Sequence, residues 1–312
     1  MVKPRISIVM PAHNERANIP LLYAELKSVL DKIGKPWEII LVDDGSNDGT
    51  FFEAKAINLK DKRFRVVRFR KNFGQTAALD AGFKAAKGEI IISLDADLQD
   101  DPSEIPKFLQ KLDEGWDVVC GWRFKRHDSI SKRLFSRLAN LLRRIFLGPG
   151  VHDAGCTFRA YRSEALKNLA LFGEMHRYLP YLLMWKGFKV TEIKINHRPR
   201  RFGKTKYGLT RLPKGIIDMF IMKFWMNYSA RPGHLFGGLG FFLGLIGLLI
   251  GGWLVTEKAL FGSQLANRPL LLLSVLLVVL GAQFFLFGVL ADILVKIYYK
   301  NLTPYEIEKV LK

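Results

Sequence analysis

The sequence predicts an α/β protein in which a mostly parallel sheet with helices on both faces precedes amphipathic helices and two transmembrane helices. Three observations predict this fold. Short apolar runs alternate with helical segments over the first 120 residues, a basic amphipathic segment follows, and two long apolar runs come after Pro232. Continuous apolar strands that alternate with helices are typical of a parallel sheet covered on both faces.

The strands and helices of the first domain follow from its apolar runs. Each run is short, rich in Ile and Val, and ends at turn residues, as buried strands do. The helical segments between them repeat apolar residues at three- and four-residue intervals. The predicted strands are 6–10, 38–42, 65–69, 89–94 and 118–120, and the predicted helices include 21–30 and 76–86.

The two C-terminal apolar runs predict membrane spans. The run 234–255 has no Asp, Glu, Lys or Arg, and the run 269–297 is uncharged until Asp292. Each is long enough, as a helix, to cross a hydrocarbon core of about 30 Å. Lys and Arg are denser on the two flanks of this pair than in the connector 256–268. The positive-inside rule therefore predicts a multi-pass cell-membrane protein with both termini in the cytoplasm.

A basic amphipathic segment and the overall charge indicate an anionic partner. The formal net charge is +19, which suits nucleic acid, anionic lipid or a phosphorylated substrate. The segment 129–147 has apolar residues on one half of its helical wheel and mainly Lys and Arg on the other, as interfacial helices do. The alternative is a helix that packs on the core with a solvated basic face. Cys120 and Cys156 are too few for a disulfide framework, so we expect buried, reduced thiols.

An acidic stretch follows the predicted strand 89–94. Asp95, Asp97 and Gln99 alternate along it, so an extended backbone places their side chains on one face. Carboxylate and carbonyl oxygens are the ligands that Mg²⁺ and Mn²⁺ prefer, and such an ion can bridge them to a diphosphate. The alternative is a solvated acidic turn that caps the helix beginning near 101–103. Taken alone, the motif leaves both interpretations open.

Two further polar clusters, 11–15 and 43–50, also come directly after predicted strands. Because the carboxyl ends of parallel strands meet at one edge of the sheet, the three clusters are expected to converge on one crevice.

The ordered motifs resemble a known family. They are Pro11-Ala-His-Asn-Glu15, Asp43-Asp-Gly-Ser46, Asn72-Phe-Gly-Gln75, Asp95-Ala-Asp-Leu-Gln-Asp100 and Asp153-Ala-Gly-Cys-Thr-Phe-Arg159, together with the basic run that ends at Tyr207. This set resembles the inverting family-2-type glycosyltransferases. It is most similar to the polyisoprenyl-phosphate glycosyltransferases, the group of dolichol-phosphate mannose synthase and undecaprenyl-phosphate glucosyltransferases. The resemblance implies a GT-A-like fold and transfer from a UDP- or GDP-linked sugar donor to a polyisoprenyl phosphate acceptor, with Mg²⁺ or Mn²⁺ as cofactor.

The resemblance also implies the role of individual residues, and among them Asp43 is expected to stabilise its own loop. Asp97 and Asp153 are the expected catalytic residues, with Asp153 as the base or as the organiser of the acceptor. Metal ligands are expected at Asp95, Asp97 and Gln99. The nucleotide-binding set is Pro11, His13, Glu15, Asp44, Asp95 and Ala96, and the phosphate-binding set is Arg123, Arg133, Arg198, Arg200 and Lys206.

These expectations divide the chain and exclude some functions. The catalytic domain is 1–210, the juxtamembrane interfacial helix 211–232, the two-span anchor 233–300 and the cytoplasmic tail 301–312. A processive polysaccharide synthase is disfavoured, because the sequence has no Gln-x-x-Arg-Trp segment and only two spans. An inactive membrane-tethered module for nucleotide or lipid is the other alternative. A nucleic-acid partner is disfavoured because the acidic cluster would repel phosphates in the absence of a metal. The sugar, the base and the size of any homo-oligomer stay open.

Overall fold

The computed structural model describes residues 3–124, 143, 146–148, 150–167, 169, 171, 173–199, 211–229, 231–262, 264 and 268–298. Most of the predicted amphipathic helix 129–147 and the whole of the tail 301–312 therefore lie outside the described residues. The chain divides into two compact units, one up to Met222 and the other from Lys223.

A mixed sheet forms the centre of the first unit. In the described part of the chain its seven strands run in the order β3-β2-β1-β4-β6-β5-β7. Only β6 is antiparallel to its neighbours, so the predicted mostly parallel sheet is confirmed. The strands are β1 Ile6–Ala12, β2 Trp37–Asp43, β3 Phe64–Arg68, β4 Ile90–Ser93, β5 Val118–Arg123, β6 Arg159–Arg162 and β7 Val190–Ile195.

Helices cover both faces of this sheet. On one face, apolar side chains of α1, α2 and α4 pack against the even-numbered residues of β1 in a continuous core. On the other face α3 approaches so closely that a Cβ on Gly82 would lie 2.3 Å from Cγ1 of Val9. The helices of this unit are α1 Ile19–Ile33, α2 Thr50–Lys60, α3 Gln75–Ala85, α4 Ile105–Asp113 and α5 Leu179–Trp185, and α6 is Arg211–Tyr228.

The sheet topology brings the predicted site together. β1, β2 and β4 are parallel, and β5 runs in the same direction because β6 is antiparallel to both β4 and β5. The carboxyl ends of these four strands therefore lie along one edge of the sheet. The clusters 11–15, 43–50 and 95–100 follow β1, β2 and β4 at that edge, as the sequence predicts.

Two long helices form a hairpin in the second unit, α7 Pro232–Phe261 and α8 Pro269–Tyr298. Both are long and apolar enough to cross a membrane, which confirms the predicted pair of candidate spans. Glycines allow the close contact between them. A Cβ on Gly240 would lie 2.6 Å from the carbonyl oxygen of Gly281. Asp292 accepts a hydrogen bond from the N–H of Gly233 at 2.9 Å, so its carboxylate caps the first turn of α7.

Candidate active site

The loops after β1 and β2 are hydrogen-bonded to each other. His13 Nδ1 lies 2.8 Å from the carbonyl oxygen of Asp44. Asn14, whose φ of 56° is in the left-handed region, donates its backbone N–H to Ser46 Oγ at 2.9 Å. Its side-chain oxygen accepts the N–H of Asn47 at 2.9 Å. These contacts hold the two loops of the predicted nucleotide pocket at a fixed separation.

The buried carboxylates of this pocket join a third loop to the first two. Asp44 accepts the backbone N–H groups of Phe73, at 2.7 Å, and Gly74, at 3.0 Å. Glu15 is 9% exposed and accepts a hydrogen bond from the side chain of Asn18. A carboxylate offers about four lone-pair positions, so Asp44 keeps acceptor capacity beyond these two bonds. Its contact with a base edge, like the nucleotide roles of Pro11, His13 and Glu15, stays a prediction.

Asp43, the other acidic residue of the second loop, has a local role. Its Oδ1 accepts the N–H of Ser46 at 3.0 Å, which confirms that it stabilises its own loop. Its other oxygen lies 3.5 Å from Nε of Arg68. Asp43 is fully buried, so its carboxylate does not face the crevice.

The acidic stretch after β4 forms a concentrated group of carboxylates. Asp97 and Asp100 are buried, at 6% and 4% exposure. Burial, and then the charges of Asp100 and Asp97, raise the pKa of Asp95 to about 7. Leu98, between Asp97 and Asp100, has a φ of 63°, which is strained for a bulky residue. Such strained backbone is often found at functional sites. Ala96 is buried within the same loop.

These residues fit a divalent cation in chemistry. Three neighbouring carboxylates and one amide oxygen are a donor set that Mg²⁺ or Mn²⁺ favours. A cation would offset the burial and the charges of Asp100 and Asp97 that together raise the pKa of Asp95. In the described part of the chain no three His, Cys, Asp or Glu side chains are arranged around a cation position. Mg²⁺ usually keeps several waters and binds substrate phosphates as well as one or two carboxylates. The ligand roles of Asp95, Asp97 and Gln99 therefore stay predictions.

Gln75 is a further site residue that the sequence analysis did not assign. Its side-chain N–H donates to Asp95 Oδ1 at 2.7 Å and lies 3.4 Å from Thr157 Oγ1. Gln75 and Asp95 both belong to motifs of the family resemblance, so the sequence already marked Gln75 as a candidate. The contact itself depends on how the loop after β3 meets the end of β4, which the sequence does not show.

Arg123 and Asp153 form a buried ion pair beside the acidic group. Arg123 donates from Nε to Oδ2 at 2.7 Å and from Nη2 to Oδ1 at 2.9 Å, and the two side chains are 16% and 9% exposed. Burial disfavours the charged guanidinium, but the hydrogen bonds to Asp153 and the surrounding negative charges, including those of Asp153 and Asp100, together raise the pKa of Arg123. The charge of Arg123 in turn partly lowers the pKa of Asp95. The acidic loop after β4 and the Arg123–Asp153 pair therefore interact electrostatically.

Glu192 on β7 supports the loop that carries Asp153. Glu192 Oε1 accepts the backbone N–H groups of His152, at 2.7 Å, and Asp153, at 3.3 Å. Its Oε2 lies 2.7 Å from Nδ1 of His152, whose ring stacks on Trp122 at 4.4 Å. Glu192 has no motif around it, so sequence patterns gave no signal for this role.

The predicted phosphate-binding residues have different outcomes. Arg123 lies at the site but is held by Asp153. Arg198 lies next to the acidic loop and donates to Glu25 at 2.7 Å, with Asp101 also 2.7 Å away. Arg133, Arg200 and Lys206 are outside the described residues. Phosphate binding by all five stays a prediction.

Comparison with known proteins agrees with this architecture. The model of "Glycosyl transferase family 2" matches residues 7–170. Dodecaprenyl-phosphate galacturonate synthase of Rhizobium johnstonii is 36% identical over 95% of this chain and 89% of its own length. Undecaprenyl-phosphate 4-deoxy-4-formamido-L-arabinose transferase of Pectobacterium atrosepticum is 34% identical over 94% of this chain and 89% of its own.

A solved structure supports the fold. Glucosyl-3-phosphoglycerate synthase of Mycobacterium tuberculosis, in complex with Mn²⁺ and UDP-glucose, aligns with a TM-score of 0.54 and 22% identity, over 73% of this chain and 82% of that one. The predicted GT-A-like fold is confirmed. The chain belongs to glycosyl transferase family 2 and, within it, to the polyisoprenyl-phosphate glycosyltransferases.

Proposed function

We propose that this chain transfers one sugar from a nucleotide-diphosphate sugar to a membrane polyisoprenyl phosphate, with inversion of the anomeric carbon. The observation that carries the proposal is the group of carboxylates at the end of β4, next to the Arg123–Asp153 pair. Relatives of nearly the same length, named for dodecaprenyl-phosphate and undecaprenyl-phosphate products, support the acceptor class.

The donor side lies on the loops after β1, β2 and β4. His13 and Asp44 shape the nucleoside pocket, and Asp95 is shared between this pocket and the cation site. Asp97 and Gln99 would hold the ion. The complexes of the solved neighbour with Mn²⁺ and UDP-glucose, and with Mg²⁺ and UDP, support a divalent cation as cofactor. When bound, Mg²⁺ or Mn²⁺ neutralises the charge that develops on the leaving diphosphate.

The acceptor side lies on Asp153 and Arg123. An acceptor phosphate is largely anionic at neutral pH, since its second pKa is about 6, and therefore needs little deprotonation. Both oxygens of Asp153 are engaged by Arg123. We therefore assign Asp153 to positioning: it orients the Arg123 guanidinium, whose fixed donors suit a phosphate, and contributes through proximity and orientation.

The membrane location follows from α7 and α8. The acceptor's hydrocarbon tail stays in the lipid, so the reaction takes place at the membrane surface. Since Lys and Arg are concentrated outside the 256–268 connector, the catalytic unit and both termini lie on the cytoplasmic side.

The test is product formation by purified protein with polyprenyl phosphate, labelled UDP- and GDP-sugars, and Mg²⁺ or Mn²⁺. The wild-type protein should yield label that is extracted with the lipid. Asp97→Ala should lower the rate at least ~10–100-fold because it removes a cation ligand. Asp113→Ala, an exposed carboxylate at the end of α4, is the matched control and should stay active. Absence of product with every donor would refute the function, and full activity of Asp97→Ala would refute the cation assignment.

A further inference from the structure

The segment that follows β7 is bonded to the acidic loop. The backbone N–H of Arg198 donates to the carbonyl oxygen of Gln99 at 2.8 Å. His197 and Asp100 form an isolated antiparallel bridge. The two segments are almost 100 residues apart in the sequence, and these contacts fix the position of one against the other.

The same contacts orient the side chain of Gln99. Its Nε2 donates to the carbonyl oxygen of Arg198 at 3.3 Å and lies 3.3 Å from Nε2 of His197. An amide has one end that donates and one that accepts. Because the NH₂ end is directed at residues 197 and 198, the oxygen end is left for another partner. A cation requires that oxygen.

Two carboxylates, one on α1 and one at the end of the acidic loop, hold the side chain of Arg198. Its Nη1 donates to Glu25 Oε2 on α1 at 2.7 Å, and its Nη2 lies 2.7 Å from Oδ1 of Asp101. Asp101 also accepts the N–H of Ser103 and so caps the 3₁₀ turn Pro102–Glu104. The guanidinium therefore joins α1 to the end of the acidic loop.

We propose that Glu25 is a positioning residue that acts through Arg198 to orient Gln99 and thereby strengthens binding of the divalent cation with the nucleotide. The inference rests on the proposed function, because it concerns the same cation site. Residues that orient metal ligands from a second layer typically change metal affinity 10–100-fold when they are replaced. Glu25 contacts Arg198 and none of the predicted cation ligands, so its effect on the site passes through Arg198.

The sign of the effect separates this role from phosphate binding by Arg198. If Arg198 must leave Glu25 to bind a diphosphate, removal of the Glu25 charge frees the guanidinium and tightens nucleotide binding. If Arg198 positions Gln99, the same removal weakens cation binding. Glu25→Gln therefore tightens nucleotide binding under the first hypothesis, whereas it weakens cation binding, and with it nucleotide binding, under the second.

The experiment measures the Mn²⁺ concentration that supports UDP or GDP binding, by calorimetry on the full-length protein in detergent. Glu25→Gln should raise the apparent Kd for Mn²⁺ about 10-fold. Its melting temperature should stay unchanged, because the pair is about one-third exposed and exposed pairs add little stability. Glu114→Gln is the matched control: it breaks a similarly exposed ion pair, with Lys111 at 2.7 Å, and should bind Mn²⁺ as the wild type does.

A double substitution tests the route through Arg198. In an Arg198→Ala background, Glu25→Gln should have no further effect on the Kd for Mn²⁺, since coupled residues are not additive. An unchanged or lower Kd in Glu25→Gln alone, or additive effects in the double variant, overturns the inference while leaving the proposed function intact. A wild-type protein that binds nucleotide without any dependence on the cation overturns the cation assignment, and the inference with it. The proposed function fails separately, if no sugar nucleotide gives a lipid-linked product.

Discussion

Replacement of Asp95 by Asn should stabilise the cation-free protein while abolishing its activity. Burial and the neighbouring charges of Asp100 and Asp97 raise the pKa of Asp95 to about 7. A raised carboxyl pKa means that the charged form is less favourable in the folded state than in the unfolded state. The stability that protonated Asp95 gives to the fold is therefore fully present below the unfolded-state pKa of this carboxyl. The wild-type protein loses that stability as the pH rises towards 7.

The size of this effect follows from the shift. The pKa rises from 3.8 to about 7, and each unit corresponds to 1.36 kcal/mol, so the full penalty is about 4 kcal/mol. Solvent screens the partly exposed side chain, which reduces the expected gain for Asn to about 2 kcal/mol. In a unit of about 220 residues that gain corresponds to a rise of about 4–8 °C in melting temperature. Gln75 can keep its hydrogen bond, since the Asn side chain retains one oxygen acceptor.

The assay is thermal unfolding of detergent-solubilised protein in EDTA at pH 5 and pH 8. At pH 8, Asp95→Asn should melt above the wild type, and the difference should be smaller at pH 5, where Asp95 is protonated in the folded state but already ionised in the unfolded state. Mn²⁺ with nucleotide should raise the melting temperature of the wild type more than that of the variant. An Asp95→Asn protein that melts below the wild type at pH 8 in EDTA would refute the account of this loop.

Three further outcomes follow from the packing. Arg123→Met and Asp153→Leu each leave a buried charge without its partner. Each single variant should therefore lower the free energy of unfolding by about 3–5 kcal/mol. The double variant should cost less than either, and a loss equal to the sum of the two contradicts the ion pair. In the hairpin, Gly240→Ala should lower the melting temperature, because its Cβ would lie 2.6 Å from backbone atoms of α8, whereas Gly238→Ala meets nothing within 4 Å and should be neutral. Burial raises the pKa of Cys120 to about 12, so iodoacetamide at pH 8 should label it only after denaturation; rapid labelling of the native protein would show that the thiol is accessible.

The sequence predicts β1, β2 and β4 because these strands are buried on both faces and have continuous apolar runs. β6 and β7 have no such run. Arg159 in β6 looks like a surface residue in the sequence, yet it is 3% exposed and donates to the carbonyl oxygens of Ala154, at 2.6 Å, and His176, at 2.8 Å. These partners become visible only when the chain is folded. β7 alternates polar and apolar residues only from Glu192 to Ile195, and in the described part of the chain it lies at the edge of the sheet.

The candidate site shows the same division. The position of Asp95 and Asp97 could be predicted because their motif and two other polar clusters each directly follow a buried strand, and such strand ends meet at one edge of a parallel sheet. The partners of Arg198 could not, because Glu25 is 173 residues away along the chain and no local pattern joins them. Motifs thus predict which residues lie at the ligand edge of the sheet, whereas the contacts that orient them depend on long-range packing.

The most direct test of the central claim is the mass of the product formed from polyprenyl phosphate and the preferred sugar nucleotide. We expect a single product that carries one sugar on the lipid phosphate, with the nucleoside diphosphate released in equal amount. Polyprenol, which lacks the phosphate, should not be an acceptor. A ladder of products with several sugars, or transfer to polyprenol at the same rate, would contradict a monosaccharide transfer to a polyisoprenyl phosphate.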